Sequence, residues 1–262
     1  MKNIRDMMEV RDLSFAYGDQ PVLRDMNFAV PAGKITTVLG ANGSGKSTLF
    51  HLMTKNLKAR SGSILLEGQT IEEIKLLDFA RRVAIVGQSN TAPGDIKVEE
   101  LVSYGRTPFR SFSQRFRTRS EEDERLISRA MEIADVEKYR DRQVGTLSGG
   151  QKQRVWIAMA LAQNTKLLFL DEPTAFLDIR YQVRILKLIR RLNREYGVTV
   201  MMVLHDMNQA IRYSDSILGL KDGAIVCAGP PDEVFTSDMI EKIYGIRLET
   251  VCAGGNRFVL QV

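Results

Sequence analysis

The sequence predicts an α/β protein: a mostly parallel sheet built around a phosphate-binding loop, antiparallel strands ahead of that loop, and a helical section set into the middle. Three observations carry this reading. Gly40-Ala41-Asn42-Gly43-Ser44-Gly45-Lys46-Ser47-Thr48 fits G-x-x-x-x-G-K-[ST], with a short apolar strand before it and an apolar helical face after it. Leu167 to Leu170 is apolar at every residue and Val198 to Leu204 at every residue but Thr199, as befits strands covered by helices on both sides. The apolar period also changes along the chain, from two residues to three and four.

In order, Met8 and Val10, Leu13 and Phe15, then Met26, Phe28 and Val30 alternate as half-buried antiparallel strands do. Tyr17 falls in the turn region between them. Ile35 to Leu39 reads as a buried strand, and Leu49, Phe50, Leu52 and Met53 as one face of the helix after the loop. Ser63 to Glu67 and Arg82 to Val86 are further strands, the second leading to Gly87-Gln88. Leu126, Ile127, Ala130, Met131 and Ala134 mark a helix from Glu121, and Val155, Ala158, Met159 and Ala162 mark another. A third helix carries Val183, Leu186, Ile189, Leu192 and Tyr196 on one stripe. Lys221-Asp222-Gly223 is a hairpin turn between Ser216–Leu220 and Ala224–Ala228.

The loop's chemistry follows from its residue types. Three glycines let the backbone close on an anion, and the helix N-terminus adds about half a positive charge. Lys46 adds a full charge for the outer phosphates, and the Ser47 hydroxyl suits magnesium. A second helix start lies at Leu147-Ser148-Gly149-Gly150-Gln151, where Ser148 is a preferred N-cap and two glycines expose backbone N–H groups. It is either an ordinary capped helix or a second place to hold phosphate. A second copy of the chain can supply it to the loop without folding the helical section back.

Composition narrows the class. The 262 residues are 44% hydrophobic and 26% charged, as in a folded globular chain, with a net charge of +5 that suits a polyanion, a membrane surface or neither in particular. No apolar run approaches the roughly 18–20 residues that span a bilayer, and Met1 to Glu9 is charged where a signal peptide is apolar, so a cytoplasmic chain is expected. Cys227 and Cys252 read as reduced structural thiols.

Taken together, GANGSGKST, LSGGQ at Leu147 to Gln151, and LLFLDEP at Leu167 to Pro173 resemble the ATP-binding subunits of ABC transporters. Gln88, FLD at Phe176 to Asp178, His205 and Tyr17 fall in that family's order, and the resemblance runs from about residue 8 to 235. It implies the ABC ATPase fold: an ATPase domain over 1–235, a helical subdomain inserted at about 89–163, and an appendage, 236–262, packed on the same domain. It also implies ATP and Mg2+ as ligands. Gly40, Asn42, Gly43, Ser44, Gly45, Lys46, Ser47 and Thr48 would hold the nucleotide, with Tyr17 stacked on adenine. Ser47, Gln88 and Asp171 would meet the metal; a carboxylate ending a buried strand is costly unless a cation meets it. Glu172 would polarise the attacking water, His205 would contact the γ-phosphate, and Gln88 would complete the catalytic set. Ser148, Gly149, Gly150 and Gln151, with Asp178, would serve the nucleotide of a partner copy in a homodimer. His51, by contrast, reads as a hydrogen-bonded core histidine.

The implied partners are membrane-spanning permease subunits and, indirectly, an extracytoplasmic substrate-binding protein; nucleic acid is not among them. The chain would sit peripherally on the cytoplasmic face of the membrane. VEELVSYGRTPF at Val98 to Phe109 and VLHDMNQAIRYSD at Val203 to Asp215 resemble the importer ATPases for iron–siderophore, haem and cobalamin, with iron–siderophore the first choice of cargo. Arg106 to Arg119 holds five arginines with Phe109, Phe112 and Phe116, a mixture able to stack on nucleic acid or sit against anionic lipid headgroups; it reads as a solvated loop or as a contact for the permease's cytoplasmic face. The rival readings are a soluble ABC-type ATPase of translation or DNA repair and a GTP-driven switch. The chain lacks the doubled cassette, the long coiled coil and the guanine-reading motif that these need.

Overall fold

The structure, a computed structural model, describes residues 6–110, 119–254 and 256–260. Phe112, Phe116, Arg115 and Arg117 of the arginine-rich segment lie outside the described residues. The chain forms two compact units, one running up to Ile74 and again from Leu192, the other Lys75–Arg191.

The first unit opens with β1 (Asp6–Tyr17) and β2 (Gln20–Pro31), an antiparallel pair. Met8, Val10, Leu13 and Phe15 are buried, and the spacing shifts between Val10 and Leu13 because Asp12 takes a left-handed conformation and bulges the strand. β3 (Ile35–Gly40) is buried at every residue, and α1 (Lys46–Met53) leaves it through the glycine-rich loop. β4 (Ser61–Leu66) and the short β5 (Gln69–Thr70) complete an antiparallel sheet of order β2-β1-β4-β5. The strand predicted from Ser63 begins two residues earlier.

The second unit starts with α2 (Leu76–Ala80) and β6 (Val83–Val86). Then come α3 (Val98–Ser103), a 3-10 stretch Tyr104–Phe109, α4 (Glu121–Ile133) and α5 (Gly149–Ala162). α4 has a capped start: the Ser120 side chain accepts from the Asp123 N–H, and four acidic residues fill the first turn. Gly105 lets the 3-10 stretch lie on α5, since a Cβ there would stand 2.0 Å from the Met159 carbonyl oxygen. Arg106 is buried beside it and satisfies its guanidinium in three ways. It donates to Asp123 (2.8 Å) and to the Ala162 carbonyl (3.0 Å), and it lies over the Phe109 ring at 4.1 Å. β7 (Leu167–Asp171), buried throughout, runs parallel to β6, and α6 (Ile179–Tyr196) follows it. Ile185, Leu186, Leu188, Ile189 and Leu192 make the buried stripe of α6. Tyr196, which spacing assigned to that stripe, is 41% exposed because the last turn runs past the packed surface.

From Leu192 the chain belongs to the first unit again. β8 (Thr199–Val203) pairs in parallel with β3, α7 (Met207–Tyr213) follows, and β9 (Ser216–Lys221) pairs in parallel with the other edge of β3. β10 (Ala224–Gly229) turns back antiparallel, so the order in this unit is β10-β9-β3-β8. Asp222 and Gly223, both at positive φ, make the tight turn that Asp-Gly predicts. α8 (Pro231–Val234), α9 (Ser237–Tyr244) and the antiparallel pair β11 (Thr250–Ala253) and β12 (Asn256–Val259) end the chain. No helix among the described residues is long and apolar enough to cross a membrane.

Candidate active site

In the first unit the glycine-rich loop is built where β3 gives way to α1. α1 begins at Gly45, in a left-handed conformation that suits glycine, without a side-chain cap and without an acidic residue in its first turn. The lysine is folded back across the loop: Lys46 Nζ donates to the carbonyls of Gly40 (2.8 Å) and Ala41 (2.9 Å) and is 6% exposed. Ser44 Oγ is buried with no hydrogen-bond partner among the described residues, a cost that an anion seated in the loop would remove. Asn42, Gly43 and Ser47 are exposed, whereas Thr48 is buried in the first turn of α1. The loop therefore offers a cation, a helix start and an unsatisfied hydroxyl to a phosphate.

The loop is held from behind by residues that no motif announces. The hairpin turn reaches it through Gly223 N–H to the Ser44 carbonyl (3.2 Å), and Arg24 N–H of β2 donates to the Gly223 carbonyl (2.8 Å). A Cβ on Gly45 would meet Leu23 Cδ2 at 2.5 Å, and one on Gly223 would meet the Val22 carbonyl oxygen at 2.1 Å. Tyr17 is the last residue of β1, half exposed, with its ring edge-on to Phe15 at 4.9 Å. His205 follows β8 as an exposed residue directly before Asp206, the N-cap of α7, whose side chain accepts from the Gln209 N–H at 2.8 Å. His51 lies half-buried on α1, its ring edge-on to Phe50.

In the second unit Asp171 ends β7, 7% exposed, and Glu172 follows it with a left-handed backbone (φ 49°). Few glutamates adopt that conformation, and here it turns the side chain towards Gln88. Gln88 Nε2 donates to Glu172 Oε2 at 2.7 Å. Two residues far apart in sequence and both predicted to be catalytic are therefore joined. Ser148 and Gln151 make a reciprocal capping box at the start of α5, with the Ser148 N–H donating to Gln151 Oε1 at 2.9 Å. Gln151 Nε2 in turn donates to the Tyr139 hydroxyl at 3.0 Å. Gly149 is exposed. Gly150 is covered by Tyr181 of α6, whose ring would stand 2.3 Å from any Cβ placed there. Asp178 caps α6, accepting from the Tyr181 N–H at 3.1 Å. Sequence reasoning missed Tyr139 and Tyr181, since nothing in their spacing ties them to the serine–glycine turn.

A loop of this build, at the end of a buried parallel strand and opening a helix, defines a P-loop nucleoside triphosphatase. The chain belongs to the ABC transporter family, whose family model matches residues 23–175. It is similar to the iron(3+)-hydroxamate import ATP-binding protein FhuC of Bacillus subtilis (strain 168), 43% identical over 244 residues, 93% of this chain and 90% of that protein. It is also similar to the ferric enterobactin transport ATP-binding protein FepC of Escherichia coli (strain K12), 43% identical over 235 residues, 90% of this chain and 86% of that protein. Among solved structures, the dimeric bacterial ABC transporter cassette MJ0796 superimposes with a TM-score of 0.73 at 26% identity, covering 86% of this chain and 99% of that one. The chain is thus an ATP-binding, ATP-hydrolysing protein of ABC transport, with the fold that its sequence predicts.

Proposed function

We propose that this chain is the ATPase of an importer for iron chelates, working as a pair of copies around two ATP molecules on the cytoplasmic face of a separate permease. The two relatives' names support the cargo class, since both concern iron chelates. Haem and cobalamin are the alternatives. The dimeric cassette supports the pairing. So does the chain's possession of a second helix start, Ser148 to Gln151, since the N-terminus of a helix favours an anion.

The observation that carries the catalytic reading is the Gln88–Glu172 hydrogen bond. Hydrolysis of a phosphoanhydride asks for a water held in line and a carboxylate to take its proton, and Gln88 holds the Glu172 carboxylate in place at one oxygen. Lys46 and the loop N–H groups neutralise charge on the outer phosphates, Tyr17 stacks on adenine, and His205 contacts the γ-phosphate. Ser148, Gly149, Gly150 and Gln151 bind the γ-phosphate of the nucleotide held by the partner copy, and Asp178 lies at the same interface. Taken singly, the exposed Ser47 hydroxyl, the buried Asp171 carboxylate and the Gln88 amide oxygen are each a donor whose chemistry suits Mg2+. The ion, when bound, would neutralise phosphate charge.

Hydrolysis should depend on pairing. The specific activity of the purified chain should rise with concentration and vanish at dilutions where sizing shows single copies only. Full activity of isolated copies would refute the paired mechanism. Co-purification with a polytopic membrane protein, and transport of a ferric chelate by the assembled complex, test the rest.

A further inference from the structure

The C-terminal hairpin is bolted to the helix that follows His205. Asn208, in the first turn of α7, uses both edges of its amide on one residue of β12. Its Nδ2 donates to the Val259 carbonyl (3.1 Å), and its Oδ1 accepts from the Val259 N–H (2.9 Å). Val259 is 3% exposed. The hairpin is itself fixed, by Leu260 N–H to the Glu249 carbonyl (2.9 Å) and by Arg257 donating to the Phe235 carbonyl (2.9 Å). Tyr244, the last residue of α9, is half-buried with its hydroxyl enclosed. Burial pushes its hydroxyl up to about 12, with the Gly40 backbone opposing and the Asp206 carboxylate adding to the rise.

α7 does not need this support to form, because Asp206 already caps it. What the Asn208–Val259 pair adds is orientation. Two parallel hydrogen bonds fix the helix start against rotation and sliding, three residues beyond a histidine whose task is to meet a phosphate oxygen. We propose that β11–β12 is a positioning element for the nucleotide site and that Asn208 is a positioning residue acting through His205. The inference rests on the reading of His205 as the γ-phosphate contact. A displacement near 1 Å at a reacting group costs up to about a hundredfold in rate, so a partial loosening has a measurable effect.

The test is a mutant cycle on the full chain, read as kcat and KM for ATP at a concentration where the copies pair. Asn208→Ala should lower kcat about 3- to 10-fold and leave KM within about twofold. Asn208→Asp, which sets a carboxylate oxygen against the Val259 carbonyl in place of the amide donor, should lose at least as much as Asn208→Ala. In a His205→Ala background, followed by single turnover, Asn208→Ala should cost nothing further, because residues acting through one another are not additive. Equal losses in both backgrounds would overturn the proposal. So would a lowered thermal midpoint with kcat unchanged, which marks a purely structural clamp. If His205→Ala alone hydrolyses ATP at the wild-type rate, the reading of His205 falls and the inference with it. An unaltered kcat in Asn208→Ala beside a crippled His205→Ala sinks the inference only.

Discussion

Glu172→Gln separates the chemical role of this residue from its structural one. The replacement keeps the length and planarity of the side chain, so an amide oxygen can still take the hydrogen bond that Gln88 Nε2 now gives to Glu172 Oε2 at 2.7 Å. Exchanging a carboxylate acceptor for an amide weakens that bond by about 1 kcal/mol, the difference between hydrogen bonds to charged and to neutral groups. The left-handed backbone at Glu172 is equally strained with either residue. The thermal midpoint should therefore move by only a few degrees. What the amide cannot do is accept a proton from water, and general-base catalysis is worth about 10²–10⁴ in rate, or roughly 2.7–5.5 kcal/mol of barrier. Phosphate release at saturating ATP should fall by that factor while ATP binding persists, and sizing with ATP should show a stable larger species. Gln88→Ala should cost less, about tenfold, since it removes the partner that orients the carboxylate and not the carboxylate itself. A Glu172→Gln protein that hydrolyses ATP within about threefold of the wild type would refute the assignment of Glu172 as base.

Gly105→Ala gains up to about 1 kcal/mol of helical propensity but drives a Cβ to 2.0 Å from the Met159 carbonyl oxygen; overpacking against backbone wins, and urea unfolding should show a loss of about 2 kcal/mol or more. Asp123→Asn weakens the buried pair with Arg106, which should cost about 3 kcal/mol at neutral pH. Burial works to raise the Asp123 carboxyl, but the Arg106 guanidinium, the Ser120 hydroxyl and Arg110 together hold it below the usual carboxylate range. Its contribution is therefore present above about pH 4 and lost as pH falls through the lowered folded value, so urea midpoints of wild type and variant should converge in acid. Tyr17→Ala should raise KM for ATP about 5- to 100-fold, the worth of one ring–base stack, while Tyr17→Phe stays at the wild-type value.

The central strands were legible because burial on both faces favours nearly continuous apolar runs: Leu167 to Leu170, and Val198 to Leu204 with Thr199 its one polar residue, could be read without any partner in view. The candidate site can be read from sequence only where the proposed chemistry fixes residue type, as with Lys46, Asp171, Glu172 and the serine–glycine turn. What stayed hidden is of two kinds. The first is backbone strain: Glu172 and Phe176 take positive φ, a conformation that neither residue type announces. The second is contact between distant segments. The ring of Tyr181 on Gly150, the hydroxyl of Tyr139 on Gln151, and the amide of Asn208 on Val259 depend on where whole elements come to rest, and no local pattern encodes that.

These hidden contacts change what the motif glycines mean. Sequence reasoning gave the loop glycines one task, close approach to phosphate. The structure divides them. A Cβ on Gly43 would meet nothing within 4 Å, so only its positive φ (80°) and the approach of a ligand demand glycine there. A Cβ on Gly45 would overlap Leu23 Cδ2 at 2.5 Å whether or not nucleotide is bound. Leu23 is 1% exposed and has little space to yield. Alanine at the two positions should then fail differently. Gly43→Ala should weaken ATP binding severalfold while costing about 1 kcal/mol of stability without nucleotide, the usual penalty for a left-handed alanine. Gly45→Ala should add to a similar backbone penalty an overpacking cost of about 1–3 kcal/mol in the nucleotide-free chain, read as a lowered urea midpoint. If both variants unfolded at the same urea concentration without nucleotide, the packing of β2 behind the loop would have no part in dictating its sequence.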